Sequence, residues 1–304
     1  MNAFYSDTFV LSPPDGHRFP MAKYSRLRAR LLAEGILSDG DLHEAPPAAV
    51  ADLELVHTRA YVQAIVDGTV APEIQRRIGF PWSPQMVERA RRSVGATIAA
   101  ARCATEEGCA ANLAGGTHHA FADRGEGYCV FNDVAIAARV LQRDGLATRV
   151  AVIDCDVHQG NGTAAIFRGD RNVFTLSLHG AKNFPFKKEV SHLDIEFEDG
   201  TGNETYLLSL ARALDFVLST HNPDVLFYLA GADPYEGDRL GRLKLTIEGL
   251  RQRDETVLTR CHRDGLPVVI TMSGGYAPDV DAIVRIHTNT IQTAVSLWAN
   301  ASVS

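Results

Sequence analysis

Cysteine is scarce: Cys103, Cys109, Cys129, Cys155 and Cys261 are five in 304 residues, an odd number, and no two have C-x-x-C spacing. That excludes a disulfide framework and a cysteine-built zinc site, and it suits a reducing compartment, the cytoplasm. No run of about 18 apolar residues occurs, so no segment reads as a membrane span. The opening MNAFYSDTFV has no cationic stretch leading into an apolar one, so no signal peptide is expected. Positive charge is also short. Lys+Arg 30 against Asp+Glu 37 leaves −7, with a pI near 5.9. The basic footprint of a nucleic-acid binder is missing, and the balance slightly favours a cationic substrate. Repeats, low-complexity tracts and linkers are absent; Ala45-Pro46-Pro47-Ala48 is too short to separate domains.

What is present is an ordinary soluble composition, 45% hydrophobic and 22% charged. The length would suit two domains of roughly 150 residues, yet one large α/β sheet also fills it. Nearly continuous apolar runs recur at Val150 to Ile153, Val173 to Leu178, Val225 to Ala230 and Pro267 to Met272, the pattern of strands buried on both faces. Helical patterns lie between them. Ser83 with Pro84 opens one whose Val87, Ala90, Val94 and Ile98 share a face. Thr201 and Glu204 have capping-box spacing before Tyr206, Leu210, Leu214 and Val217, and Asn222-Pro223 ends that helix. Another starts near Asp279. The polar stretch Lys182 to Thr201 reads as a loop over one rim. Strand–helix alternation implies parallel strands with right-handed crossovers. The expected fold is α/β: one domain over 1–304, a mainly parallel sheet with helices on both faces.

Ligands bind such sheets at the carboxyl ends of the strands. After Ile153 comes Asp154-Cys155-Asp156-Val157-His158-Gln159-Gly160-Asn161-Gly162; after Ala230, Gly231-Ala232-Asp233; after Met272, Ser273-Gly274-Gly275-Tyr276. A weaker run, Ala110 to Leu113, leads to Gly115-Gly116-Thr117-His118-His119. Four separate stretches thus send ionisable groups to one edge. Asp156, His158 and Asp233 offer oxygen and nitrogen donors for a divalent metal, and three protein ligands leave a position open for water, the mark of a catalytic site. A strand-end Asp can instead merely cap the next helix, but Asp-x-His beside a second strand-end Asp argues against that for the set. Gly160 to Gly162 reads as a tight, backbone-exposed turn.

GGTHHA, RGEGYCVFND, IDCDVHQGNG, GADPYEGDRLG and SGGY, in that order, resemble the histone deacetylase superfamily of the arginase–deacetylase fold, most closely its class IV branch. LVHTRAY, Leu55 to Tyr61, is similar to the family's N-terminal histidine motif. The resemblance spans roughly residues 15 to 295. It implies that Asp156, His158 and Asp233 hold a single zinc ion (Zn2+), with ferrous iron (Fe2+) the alternative. It implies that His118 and His119 are the tandem histidines, the second the general base, and that Tyr276 donates to the oxyanion. Gly127 and Tyr128 match the pair lining the acyl-lysine channel, with Phe184 the facing wall. Asp154, Asp156, His158, Ser177 and Leu178 match positions around a structural monovalent cation (K+).

That chemistry is coherent. A metal polarises an amide carbonyl and lowers the pKa of water from 15.7 toward ~7; a neutral imidazole takes the proton; and a phenol on a flexible Ser-Gly-Gly turn holds the developing alkoxide. Asn161 stands where many relatives carry an Asp behind the second histidine. A neutral amide fixes the ring without raising its pKa as a carboxylate does, so His119 is expected to be more readily neutral. Several residues take bland readings: Asp133 a helix cap, Cys155 core packing, His287 a satisfied core histidine, and His17, His43, His192 and His262 no role.

The expected function is removal of an acetyl or longer acyl group from acyl-lysine or a related acylated amine, with no nucleic-acid or membrane partner. Alternatives are an acetylpolyamine or other small-amide deacetylase, and an inactive acyl-lysine binding module. An arginase-type two-metal site is disfavoured because Gly160 stands where its first strand needs a carboxylate, and only Asp233 follows Ala230 where its later strand needs two. Substrate choice rests on a rim expected to include Phe80-Pro81-Trp82 and Lys182 to Leu193.

Overall fold

The computed structural model describes residues 1–9, 11 and 18–298, so His17 lies outside the described residues. The strands are β1 (Asn2–Tyr5), β2 (Leu42–Glu44), β3 (Cys109–Asn112), β4 (Val150–Asp154), β5 (Val173–Gly180), β6 (Leu193–Phe197), β7 (Val225–Leu229) and β8 (Val268–Thr271). They form one sheet, ordered β2-β1-β3-β8-β7-β4-β5-β6, and every pairing is parallel. Central strands are apolar up to their last residues because both faces are covered. In β4, Ala151 and Ile153 enter one core cluster and Val150 and Val152 the other.

The helices are α1 (Ala22–Ala33), α2 (Val50–Leu53), α3 (Arg59–Asp67), α4 (Pro72–Ile78), α5 (Pro84–Glu107), α6 (Asp133–Arg143), α7 (Asn161–Ile166), α8 (Asn203–His221), α9 (Ile247–Asp264) and α10 (Val280–Trp298). On one face α1, α8, α9 and α10 deliver Leu27, Leu31, Leu210, Leu214, Val257 and Ile291 to the sheet. On the other, α3, α5 and α6 deliver Ile65, Val94, Ile98, Val134 and Leu141. Each such buried aliphatic side chain is worth about 1.5–3 kcal/mol over leaving it in water. α5 starts as its sequence indicates: Ser83 accepts from the Met86 N–H at 3.1 Å, with Pro84 in the first turn.

Three sequence expectations need correction. The Lys182 to Thr201 stretch is not all loop: β6 runs through it and pairs with β5 from Leu193 opposite Leu176 to Phe197 opposite Gly180. As an edge strand it is only partly covered, so it lacks the apolar run that marks the central strands. Thr201 does not cap α8. Gly202 occupies the cap, and the Thr201 hydroxyl turns back to Glu198 O at 2.8 Å. The first residue, Asn203, instead holds Thr246 at the start of α9 through both ends of its amide. Gly160 to Gly162 is the first turn of α7 rather than an open turn.

The four motif-bearing strands, β3, β8, β7 and β4, are adjacent at the centre of the sheet. Their carboxyl ends therefore open into one place, although residues 112 and 268 are far apart in the chain.

Candidate functional site: a carboxylate–imidazole cluster under an aromatic channel

Beyond β4 the chain turns on its own carboxylates. Asp154 accepts the Asp156 N–H at 3.1 Å and Asp156 accepts the His158 N–H at 3.0 Å. His158 Nδ1 then lies 3.0 Å from Asp156 Oδ1 and 3.2 Å from Asp233 Oδ2. All three side chains are buried, and one donor atom from each lies within 4.8 Å of the others. Among the described residues this is the one such group of His, Cys, Asp and Glu. The outer oxygens are held in place: Asp233 Oδ1 accepts the Val157 N–H at 2.9 Å, and Asp156 Oδ2 accepts both the Ser273 hydroxyl and the Gly274 N–H at 2.8 Å. Only glycine fits at 274, because a Cβ there would stand 2.0 Å from Asp233 Oδ2 and 2.6 Å from Asp156 Oδ2.

Two buried carboxylates this close need either a cation or a proton between them. Burial and then the charge of Asp156 raise the Asp233 carboxyl. Burial works against a charged His158, but Asp156 and Asp233 outweigh it and raise its pKa. Two oxygens and one nitrogen with open coordination fit a divalent ion such as zinc. Among the described residues no second ligand set accompanies them, so the arginase-type reading finds no support.

The paired histidines differ in what stands behind them. His118 Nδ1 is 2.6 Å from Asp154 Oδ2, His119 Nδ1 is 2.7 Å from Asn161 Oδ1, and the rings are 4.1 Å apart. Burial opposes charge on His118, yet Asp154 and Asp156 push it up to about 9. Burial, followed by the nearby His118 and His158, holds His119 well below the usual imidazole value.

The loop carrying both histidines is fastened by Asp133, and the reading of Asp133 as a helix cap is corrected. Asn132 caps α6, accepting from the Ala135 N–H at 3.0 Å. The buried Asp133 carboxylate instead accepts from the Gly116 N–H (3.0 Å), the Thr117 N–H (2.7 Å) and the hydroxyls of Thr117 and Thr97 (both 2.6 Å). An Asp next to a cap residue reads as a cap from local spacing; its real partners lie 16, 17 and 36 residues away. His57, in the LVHTRAY segment, accepts the Asn132 N–H through Nε2 at 2.9 Å and so braces the same corner.

Glu126 to Cys129 is a tight turn with φ of +57° at Gly127 and +66° at Tyr128. Glycine is required at 127, where a Cβ would meet the His119 ring at 2.6 Å. The turn's backbone is tied to Arg77 O and Ile78 O at 2.9 Å, which holds Tyr128 in a conformation costly for a side-chain-bearing residue. Phe184 packs edge-on to His119 with centroids 5.0 Å apart. Gly127, Tyr128 and Phe184 line one cavity of about 780 Å³ together with His119, His158, Asn161 and Tyr276.

The Ser-Gly-Gly turn is not a free hinge, contrary to expectation. Ser273 and Gly274 are bonded to Asp156, and the buried Lys23 donates to Ser273 O at 3.2 Å and Gly275 O at 3.4 Å. Sequence reasoning gave Lys23 and Asp238 no role and misread Asp133: Lys23 stands in no motif, and although Asp238 and Asp133 do, the contacts that matter, to the Tyr276 N–H and to the Gly116–Thr117 loop, are remote in the chain. Burial raises the Tyr276 phenol, reinforced by Asp156 and Asp233, so it remains a hydroxyl donor.

Of the expected rim, the Lys182 to Leu193 stretch does line the cavity, through Phe184 to Lys187 and Glu189, but Phe80-Pro81-Trp82 does not. Trp82 turns away to Ile65 O (2.8 Å), and Phe80 packs behind Tyr128. In place of Phe80-Pro81-Trp82 the mouth carries Arg76, Arg77 and Arg124, which with Lys187 outnumber the lining residues Glu126 and Glu189, a local balance opposite to that of the whole chain. Asp154 and Ser177 face each other across β4 and β5, with Leu178 next in the strand. Cys155 packs into the core. His287 is buried as expected, but neither ring nitrogen has a hydrogen-bond partner, so it is not satisfied.

Residues 17–293 match the Histone deacetylase domain. An uncharacterised protein of Picosynechococcus is 45% identical over 283 residues, covering 93% of this chain and 94% of that one. Histone deacetylase 2 of Arabidopsis thaliana is 32% identical over 269 residues, covering 86% of this chain and 70% of that one. The crystal structure of an HDAC homolog complexed with SAHA shares the fold, with a TM-score of 0.81 at 23% identity over 99% of this chain and 88% of that one. The chain belongs to the histone deacetylase family.

Proposed function

We propose that this chain is a zinc-dependent amidohydrolase that removes an acetyl or longer acyl group from the amine of acyl-lysine or a related acylated amine. The observation that carries this reading is the meeting of His119, His158 and Tyr276 in one cavity, above the buried Asp156–His158–Asp233 cluster. A divalent ion held by those three residues, zinc or alternatively ferrous iron, would polarise the scissile carbonyl and acidify the attacking water. His119, kept neutral by its surroundings, takes that proton at Nε2, since Nδ1 faces Asn161. His118, charged beside Asp154, supports the developing negative charge. The Tyr276 hydroxyl donates to the oxyanion; such a donor is typically worth about 10²–10³ in rate. Gly127, Tyr128 and Phe184 sheathe the acyl-bearing arm and exclude water.

The mouth favours acyl-lysine over acylpolyamines. Arg76, Arg77, Arg124 and Lys187 outnumber Glu126 and Glu189 there, which repels a polycation. We further read residues 1–304 as one catalytic domain of class IV character working in the cytoplasm. Among the described residues all eight strands share one sheet, which supports the single domain, and no helix is long and apolar enough to cross a membrane. A K+ ion beside Asp154, Asp156, His158, Ser177 and Leu178 fits the oxygen-rich β4–β5 edge.

The test is a panel of acetyl-lysine, long-chain acyl-lysine and acetylpolyamine substrates, assayed with and without chelator, for wild type and Asp156→Asn, His158→Ala and Tyr276→Phe. Chelator-sensitive turnover of acyl-lysine that each substitution abolishes or cuts at least a hundredfold is expected. Activity surviving all three changes ends the proposal, and tight binding of an acyl-lysine peptide without hydrolysis replaces it with a binding module.

A further inference from the structure

Asn161 is itself held in place. While its Oδ1 faces His119 Nδ1 at 2.7 Å, its Nδ2 donates to Glu126 Oε1 at 3.2 Å. Glu126 is anchored in turn. Its carboxylate pairs with Arg77 at 3.3 Å, its side chain is 14% exposed, and its backbone closes the channel turn by exchanging hydrogen bonds with Cys129 at 2.9 and 3.0 Å. The chain of contacts runs His119–Asn161–Glu126–Arg77, from the buried site to the cavity mouth.

The two ends of a carboxamide differ: its oxygen only accepts and its nitrogen only donates. A neutral imidazole nitrogen does either, according to tautomer. Taken alone, the His119–Asn161 contact therefore has two solutions. In one, Oδ1 accepts from a protonated Nδ1 and Nε2 keeps its lone pair. In the other, the amide is flipped, Nδ2 donates to a bare Nδ1, and Nε2 carries the proton and cannot take another. The oxygens of Glu126, already paired with a guanidinium, only accept, so they demand Nδ2 on their side and admit the first solution alone.

We infer that Glu126 is a positioning residue which, through the Asn161 carboxamide, locks His119 in the Nδ1–H tautomer that leaves Nε2 free to accept a proton. The inference rests on the reading of His119 as the proton acceptor. It also explains how an amide serves at 161: an aspartate there has two equivalent accepting oxygens and needs no such partner, whereas an asparagine must be told which way round to sit.

The test is Glu126→Ala made in two backgrounds, wild type and Asn161→Asp, in the zinc-loaded protein. In the wild-type background kcat falls about three- to tenfold, by the fraction of molecules in the wrong tautomer, with KM within twofold. In the Asn161→Asp background the same change leaves kcat unlowered, because it also relieves a like-charge contact. Equal losses in both backgrounds mean that Glu126 serves only the turn, and no loss in either means that it serves nothing here; both overturn the proposal. Glu126→Gln keeps the bulk of the turn and gives a smaller loss than Glu126→Ala in the wild-type background; an equal or larger one counts against the tautomer lock. Long-range ¹⁵N–¹H spectra of histidine-labelled protein, with His119 assigned from His119→Ala, read the tautomer without turnover. Wild type is Nδ1–H, and Glu126→Ala gains an Nε2–H population; an unchanged spectrum overturns the proposal. If instead His119→Ala keeps full activity while the spectra shift as described, the general-base reading fails and the tautomer lock stands.

Discussion

Tyr276 is held by its main chain: its N–H donates to Asp238 Oδ2 at 2.6 Å. The other Asp238 oxygen accepts the N–H groups of Leu240 and Gly241 at 2.7 and 2.9 Å. One carboxylate thus ties the segment after β7 to the segment after β8 and sets where the phenol ring stands.

Asp238→Ala should therefore lower kcat by about tenfold through misplacement of an intact hydroxyl. Tyr276→Phe, which removes the donor itself, should cost about 10²–10³. Loss of the charge-assisted bonds should also destabilise the fold by about 1.5–3 kcal/mol. Steady-state kinetics with denaturant melts checks both effects, and a wild-type kcat in Asp238→Ala would refute the positioning role.

Metal removal should destabilise the protein measurably. An ion that binds only the folded state at a hundredfold excess over its Kd adds about 2.7 kcal/mol. Chelation should lower the Tm of wild type but leave that of Asp233→Asn unmoved. The metal-free Asp233→Asn protein should be no less stable than metal-free wild type, because its like-charge contact with Asp156 is gone. Thermal melts paired with metal analysis test this; a wild-type Tm indifferent to chelator contradicts it.

The acidic limb of kcat/KM reports the loss of a neutral base. His119 is held low by burial and by its histidine neighbours, and Asn161 contributes no charge. Asn161→Asp puts a carboxylate against Nδ1, favours the imidazolium and raises its pKa. The limb should move to higher pH, and a limb that stays or moves down counts against His119 as the base.

Burial holds His57 and His179 down to about 4, and His287 well below its ordinary value. Their unfolded value is near ~6.5. Folded-state values below the unfolded one mean that the unfolded chain binds more protons, so this stability is complete above pH ~6.5 and is lost as pH falls toward 4. His118, raised to about 9, acts above ~6.5 and does not mask the effect. The Tm should fall across that window, and His57→Gln, which can still accept from the Asn132 N–H, should fall less steeply. Parallel slopes for the two proteins would contradict the assignment.

Much of this was legible along the chain. Runs such as Val150 to Ile153 are apolar at every position because a central parallel strand is covered on both sides, and the residues following such runs lie at the sheet's binding edge. Motif spacing placed Asp156, His158, Asp233, His118, His119 and Tyr276 at that edge, and the structure brings their elements together. β6 was not legible, because an edge strand with one partner needs little apolar sequence. Asp133 was misread because its position next to a cap residue is a local signal, while its four donors are not local.

By itself, the sequence determined the strand-and-helix alternation, the donor types and their order, since these depend on periodicity and on side-chain chemistry carried by each residue. The tertiary structure alone decided that β3, β8, β7 and β4 are neighbours, that Lys23 and Asp238 hold the tyrosine loop, and that Glu126 reaches Asn161. Such contacts join residues from 35 to 252 positions apart; they exist only after the hydrophobic layers have closed on the sheet, because no short stretch of chain encodes a distance between two of its remote segments.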